Sequence, residues 1–129
     1  LEHQAGPDEL HTPSARCVEL FLAELAHAPH RPWTLDAMAA RCGLGRTRFV
    51  QYCRALTGRS PTEHLTRLRL AAADRLLLEA PATSIASVAQ RCGFCSSQYF
   101  ATLYRRTTGL TPRERRVARS AAEGPLSIA

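Results

Sequence analysis

The stretch SIASVAQRCGFCSSQYFATLYRRTTGLTP, from Ser84 to Pro112, decides the fold of this chain. Ile85, Val88 and Ala89 stand at i, i+3 and i+4, which is the spacing that lines one face of an α-helix. Gly93 then ends that helix, because glycine adopts the left-handed conformation of a helix C-terminus at little cost. The pattern predicts a short amphipathic helix closed by a tight turn.

A second amphipathic helix follows this turn directly. Phe100, Leu103 and Tyr104 repeat the i, i+3, i+4 spacing, so the two helices must cross steeply to bury their apolar faces on each other. The outward face of the second helix is polar and consists of Ser97, Gln98, Ala101, Thr102 and Arg105. The two helices therefore form a helix-turn-helix, and this face suits the major groove of DNA.

The same unit occurs a second time, earlier in the chain. Residues Leu35 to Pro61, LDAMAARCGLGRTRFVQYCRALTGRSP, match the later stretch position by position, with a slip of one residue after the turn. The matched segments are Arg41-Cys42-Gly43 with Arg91-Cys92-Gly93, Phe49 with Phe100, Thr57-Gly58 with Thr108-Gly109, and Ser60-Pro61 with Thr111-Pro112. The chain contains two copies of one unit.

These residues resemble the AraC/XylS family of transcription regulators, whose DNA-binding region carries two helix-turn-helix units in one chain. The resemblance rests on the Gly93-Phe94 turn followed by SSQYF, on TGLTP at the end of the second unit, and on RLRLAAADRLLL between the units. It implies a sequence-specific DNA-binding output domain of a bacterial regulator, with two recognition helices in adjacent major-groove segments.

The fold class expected from these patterns is all-α, with two helix-turn-helix subdomains, a long linker helix and about seven helices in total. The first subdomain is expected at residues 13–60, the linker helix at 61–80 and the second subdomain at 81–119. Residues 1–12 are expected to form a linker or disordered end, and residues 120–129 a frayed tail.

The linker helix is expected to have one apolar and one solvated face. The apolar positions are Leu65, Leu68, Ala72 and Leu76. The solvated positions are Glu63, Arg67, Arg69, Asp74 and Arg75. A stiff helix here would fix the spacing of the recognition helices, which must reach major grooves about 34 Å apart unless the DNA bends.

The charge of the chain favours a polyanionic partner. Its net charge is +6, and all 17 cationic side chains are arginines, whose planar fork suits phosphates and guanine. A codon bias that replaces lysine with arginine would explain the missing lysine, but it does not explain the excess of positive charge. No apolar run is long enough to span a bilayer and no charged-then-apolar leader opens the sequence, so a cytoplasmic location is expected.

Cysteine usage gives little support for a metal site or an enzyme. The five cysteines are Cys17, Cys42, Cys53, Cys92 and Cys95. Because their number is odd and no secretory signal is seen, no disulfides are expected. Cys92 and Cys95 form a C-x-x-C that also fits zinc or redox chemistry, but no second ligand pair lies at finger-like spacing. We expect Cys42, Cys53 and Cys92 to be buried, and we expect no metal, no cofactor and no catalytic residues.

The first recognition helix is expected from about Arg46 to Leu56, with Phe49, Tyr52 and Cys53 turned inward. The family resemblance places its base-reading positions on Thr47, Val50 and Gln51. Phosphate contacts are expected from Arg46, Arg48 and Arg54. This unit departs from the family pattern at Gly45, where a serine cap is usual, and at Cys53, where phenylalanine is usual.

In the second unit, the resemblance places the base-reading positions on Ser97, Gln98, Ala101 and Thr102. Gln98 is the candidate for bidentate recognition of adenine, and Ala101 is small enough to meet a thymine methyl group. Phosphate contacts are expected from Arg105 and Arg106. Arg115, on a final helix that starts at Pro112, replaces the aromatic residue that is usual in the family.

Double-stranded DNA is the expected partner, and the resemblance implies RNA polymerase as a second one. The chain is expected to be part of a larger regulator whose effector ligand binds another domain, and no membrane is expected to take part. An alternative interpretation is a helical protein-interaction module with only non-specific affinity for DNA. A third, an enzyme or thiol sensor, has only the C-x-x-C in its support.

Overall fold

Seven helices make up the part of the chain that the computed structural model describes, residues 12–118. They are α1 (Pro13–His27), α2 (Leu35–Arg41), α3 (Arg46–Thr57), α4 (Pro61–Glu79), α5 (Ile85–Arg91), α6 (Ser97–Thr108) and α7 (Pro112–Ala118). Within residues 12–118 there is no strand, so the predicted all-α fold is confirmed. The ends predicted at residues 1–12 and 120–129 lie outside the described part, except Thr12, which caps α1.

The chain divides into two compact units, Leu1–Thr66 and Arg67–Ala129. The first contains α1, α2, α3 and the beginning of α4. The second contains the rest of α4 with α5, α6 and α7. Each unit therefore holds one complete helix-turn-helix together with the helices that cover it.

Hydroxyl side chains define where four of the helices begin. The hydroxyl oxygens of Thr12, Thr34, Ser84 and Ser96 each accept a hydrogen bond from the backbone N–H three residues later. These bonds satisfy N–H groups that have no partner within the helix itself. Thr34 and Ser84 thus cap α2 and α5, as expected of threonine and serine residues that stand just before a helix, while Gly45 precedes α3 without any side-chain bond.

An aromatic group fills the core of the first unit. The Phe21 ring on α1 packs edge-on against Trp33, with centroids 5.3 Å apart, and against Phe49 of α3 at 6.0 Å. The Arg41 guanidinium lies 5.8 Å from the Trp33 ring centre and donates to Glu24, so it closes one side of this core. The buried face of α3 is thereby fixed against α1.

The second unit is built around α6. Phe100 is fully buried and packs against Phe94 of the turn, with ring centroids 5.0 Å apart. On α4, the residues packed into this core are Leu70, Ala73 and Leu77. Of the predicted apolar positions of α4, Leu65 is buried, Ala72 and Leu76 are partly buried and pack against this core, and Leu68 is partly buried. The fully buried residues of this stretch lie one or two positions away from the predicted ones.

A buried polar cluster corrects one sequence interpretation. Asp74, which was expected on the solvated face of the linker helix, is only 1% exposed. Its Oδ1 accepts a hydrogen bond from the Tyr104 hydroxyl at 2.5 Å and lies 3.4 Å from Nε of Arg115, itself 2% exposed. Arg115 therefore points inward because a buried carboxylate is available to pair with its charge.

Arg116 ties α7 to the end of α4 in the same unit. Its Nε donates to the carbonyl oxygen of Leu77 and its Nη2 to that of Ala80, each at 3.0 Å. These carbonyls belong to the last turn of a helix, which has no intrahelical donors left. A cation at this end also complements the helix dipole.

Candidate nucleic-acid interface

Each helix-turn-helix turn is closed by the same backbone hydrogen bonds. After α2, the N–H of Gly43 donates to the carbonyl of Ala40, and the N–H of Leu44 to that of Ala39, each at 3.0 Å. After α5, Gly93 and Phe94 make the equivalent bonds to Gln90 and Ala89. Gly43 and Gly93 have φ values of 67° and 92°, which explains why both repeats place glycine there.

The recognition helices α3 and α6 also end alike. Thr57 and Thr108 each donate their hydroxyl to the carbonyl four residues earlier, at 2.7 and 2.8 Å. Gly58 and Gly109 then cap the helices in the left-handed conformation. The turns and the C-terminal ends of the two recognition helices thus share the same hydrogen bonds, whereas the helix starts differ, because Ser96 caps α6 and Gly45 has no side chain to cap α3.

A reciprocal capping box starts the next helix in each repeat. The N–H of Ser60 donates to the Glu63 carboxylate, and the N–H of Glu63 to the Ser60 hydroxyl. Thr111 and Glu114 make the same pair at the start of α7. The backbone hydrogen bonds to the carboxylates are the main cause that lowers the pKa of Glu63 and of Glu114 below the ordinary value.

The outward face of α3 carries the side chains predicted to read bases in the first unit. Thr47 is exposed, Val50 and Gln51 are half-buried, and the exposed Arg54 follows one turn later. These residues stand at i, i+3, i+4 and i+7, so they lie on one face of the helix. The opposite face is held in the core by Phe49 and by the two other inward residues predicted, Tyr52 and Cys53.

Two of the arginines predicted to bind phosphate already have partners in the first unit. Nε and Nη2 of Arg46 donate to the two carboxylate oxygens of Asp36, at 2.5 and 2.8 Å. This hydrogen bonding holds the pKa of Asp36 below its ordinary value. Nη2 of Arg48 donates to the Tyr52 hydroxyl at 2.7 Å, and its guanidinium lies over the Tyr52 ring. Both arginines remain exposed to solvent.

The outward face of α6 has the corresponding layout. Ser97, Gln98 and Thr102 are exposed, and Ala101 is half-buried. Arg105 and Arg106 are exposed in the last turns of the helix. Because Phe100 and Tyr104 are fully buried behind this face, the packing fixes which side chains point outward.

Tyr99 is a candidate contact that the sequence reasoning missed. Its side chain is 51% exposed in the first turn of α6, beside Gln98. A tyrosine hydroxyl can donate to a phosphate oxygen, and this side chain lies at the start of the helix that carries the outward face. The available signal was its position in the repeat, where the first unit has Arg48, another expected phosphate ligand.

The cysteines do not gather into a site. Cys42, Cys53 and Cys92 are buried as predicted, whereas Cys17 and Cys95 are exposed. Burial raises the pKa of Cys42 to about 11, of Cys53 to about 12 and of Cys92 to about 11, so these thiols stay protonated at neutral pH. Over the described residues, no three His, Cys, Asp or Glu side chains are arranged to hold a metal ion.

None of the helices between residues 12 and 118 combines the length and the apolar character that crossing a bilayer requires.

A helix-turn-helix domain family matches residues 38–118, well over half of the chain. The virulence regulon transcriptional activator VirF of Yersinia enterocolitica is 32% identical over 120 residues, which cover 81% of this chain and 44% of VirF. The transcriptional activator RhaS of Escherichia coli is 38% identical over 106 residues, which cover 82% of this chain and 38% of RhaS. The chain thus spans less than half the length of these relatives.

Solved structures show the same fold. The DNA-binding domain of AdpA, a global transcriptional factor crystallised with a target DNA, is 34% identical and superposes with a TM-score of 0.72 over 84% of this chain and 94% of its own. A regulator with an AraC-type DNA-binding domain from Chromobacterium violaceum is 26% identical, with a TM-score of 0.75 over 85% of this chain and 97% of its own.

Proposed function

The chain belongs to the AraC/XylS family and is a DNA-binding domain of that type, and from this premise we propose that α3 and α6 read a specific sequence in adjacent major-groove segments. The observation that carries the proposal is the composition of the two outward helix faces. Each presents one threonine, one glutamine and one small apolar side chain, then an arginine one turn later, while the aromatic residues behind it are buried. Such a face meets base edges without steric conflict.

Base reading is assigned to the middle of each face. Gln98 stands in the first turn of α6, where a recognition helix approaches base edges, and its amide can pair with adenine through two hydrogen bonds. Ala101, one turn further, offers a methyl group to thymine. In the first unit, Thr47, Val50 and Gln51 stand at the positions that Gln98, Ala101 and Thr102 hold in the second.

Phosphate binding is assigned to the arginines at the edges of the faces. Arg54 and Arg105 occupy the same register position in α3 and α6, and Arg106 extends the positive surface. Such contacts supply affinity for any duplex and fix the register of the protein on it, but they carry no sequence information. Arg46 and Arg48 would join them by exchanging or sharing their present partners, Asp36 and Tyr52.

Paired substitutions test this division between Gln98 and Arg105. On the duplex that the wild-type protein selects, Gln98→Ala should reduce discrimination at one base pair by about 1–3 kcal/mol and leave the salt dependence unchanged. Arg105→Ala should weaken binding to every duplex and reduce the slope of log K against log salt by about one. Fluorescence anisotropy titrations over a salt series measure both effects.

Two matched controls accompany these variants. Gln90→Ala removes an exposed glutamine from α5, and Arg16→Ala removes an exposed positive charge from α1. Neither residue lies on an outward recognition face, so both should bind as the wild type does. If Gln98→Ala kept the preferred base pair and the affinity, the assigned face of α6 would be wrong.

The chain acts as one part of a larger regulator in this proposal. VirF and RhaS are more than twice as long as the segments that match, so a separate domain would bind the effector ligand. Both relatives are transcriptional activators by name, and an activator works on RNA polymerase, which we take as the second partner. A regulator of this kind works in the cytoplasm and binds DNA without catalysis. If adding the regulator left the occupancy of RNA polymerase unchanged at a promoter that carries the selected site, polymerase contact would be contradicted.

A further inference from the structure

The two recognition helices can be compared position by position, because they have the same length and the same boundaries in the repeat. Both contain 12 residues, α3 after the cap position Gly45 and α6 after Ser96, and both end at a glycine with positive φ. Phe49 and Phe100 are the fourth residue of each helix and are fully buried. The outward faces are therefore in the same register.

Two of the four outward positions carry equivalent residues in both units. The fifth helical residue is Val50 in one and Ala101 in the other, both half-buried. The ninth is an exposed arginine, Arg54 or Arg105. An apolar contact and a cation thus stand at the same places on the two faces.

The other two positions carry the same two residue types in exchanged order. The second helical residue is Thr47 in α3 and Gln98 in α6, whereas the sixth is Gln51 in α3 and Thr102 in α6. Each position is exposed or half-buried, so its side chain can reach a ligand. The two faces have the same composition at these places but the opposite order.

The exchange moves the amide group along the helix. Four residues of α-helix span about 6 Å, which is close to two base-pair steps at about 3.4 Å each. Glutamine pairs with adenine through two hydrogen bonds, whereas threonine accepts several bases and contacts a thymine methyl group. The two side chains therefore impose different preferences at the places they reach.

We propose that this Gln/Thr exchange makes the two half-sites different, with the glutamine-read adenine displaced by one or two base pairs between the half-site of α3 and that of α6. The inference rests on the proposed function and adds the determinant that tells one half-site from the other. A regulator with such half-sites binds its operator in one orientation, because the first unit and the second unit cannot trade places without losing an amide contact.

Exchange variants test the inference without changing composition or charge. Thr47→Gln combined with Gln51→Thr gives α3 the order found in α6, and Gln98→Thr combined with Thr102→Gln makes the opposite change in α6. Each protein is used to select duplexes from a random pool, beside the wild type, and circular dichroism verifies its helix content. Because no arginine changes, the salt dependence of binding is expected to stay that of the wild type.

The first pair of substitutions should shift the preferred adenine in one half-site only, with a preference of about tenfold or more at the new position, and the second pair should shift it in the other half-site. Unchanged half-sites, or a half-site that loses all preference while the protein stays folded, would overturn the inference. A wild-type protein that selects no sequence at all would refute the proposed function itself, and this inference with it.

Discussion

At the scale of single residues, three polar side chains of the second unit are buried together. Asp74, Tyr104 and Arg115 come from α4, α6 and α7, and each is at most 2% exposed. Burial, followed by the hydrogen bond to Asp74, raises the pKa of Tyr104 above its ordinary value, so its hydroxyl stays a donor. The cluster therefore joins the recognition helix of the second unit to the two helices behind it.

Removing one charged member of this cluster should lower the free energy of unfolding more than removing the whole ion pair does. Asp74→Ala leaves the Arg115 charge buried without its carboxylate, so we expect a loss of about 3–5 kcal/mol in the free energy of unfolding. The double variant Asp74→Leu, Arg115→Met should lose much less, because no buried charge remains. Urea unfolding followed by circular dichroism measures both, and equal losses would show that the pair carries no buried-charge penalty.

Thiol reactivity should separate the five cysteines into two groups. Exposed Cys17 and Cys95 should react quickly with an aromatic disulfide reagent at pH 8, whereas Cys42, Cys53 and Cys92 should react only as fast as the protein opens. The raised pKa of the buried thiols also slows their reaction, since the thiolate is the reactive form. Counting released chromophore against time checks this, and five fast thiols would contradict the burial.

The sequence predicted residues well where one helix face decides burial. The inward direction of Phe49, Cys53 and Phe100 followed from periodicity alone. Asp74 was misjudged because charged residues are normally exposed, and its burial depends on a partner 41 residues away along the chain, Arg115. The base-reading and phosphate-binding assignments stay predictions, since only binding to DNA tests them.

At the scale of helices and turns, the sequence predicted nearly every boundary. Caps at Thr34 and Ser84 and the stops at Gly43 and Gly93 have local causes, so local patterns reveal them. The buried face of α4 was harder to predict, because its apolar residues are dense around Leu76 and only tertiary packing selects among them. The local features overlooked were the capping boxes at Ser60 and Thr111 and the hydroxyl caps at Thr12 and Ser96.

These capping boxes should make the stability of α4 and α7 dependent on acid. The pKa values of Glu63 and Glu114 are lowered in the folded protein, so their contribution is complete above the ordinary value of 4.5 and is lost as the pH falls through the folded values. Glu63→Gln with Glu114→Gln should therefore flatten the fall in urea midpoint between pH 6 and pH 3. Asp36, whose pKa is also lowered, is present in both proteins and cancels in the comparison. An identical pH profile for the variant would rule out this role.

At the scale of the whole molecule, the chain holds two units with the same hydrogen-bonded frame and an excess of positive charge. Its net charge is +6 and its 17 cationic side chains are all arginines, several of which border the outward faces of α3 and α6. Charge alone would give affinity for any duplex, with strong dependence on salt. In the proposed function, sequence specificity comes from the side chains that lie between these arginines.

The most direct measurement is the selection of duplexes from a random pool by the purified protein, followed by titration of the selected and a scrambled duplex over a salt series. We expect a motif of two blocks whose centres lie about one helical turn, or 10 base pairs, apart, with both duplexes sharing a similar salt slope while only the selected one binds tightly. A single block would mean that one unit reads sequence and the other only holds the backbone. Equal binding to both duplexes, explained by charge alone, would contradict sequence-specific recognition and leave a helical interaction module instead.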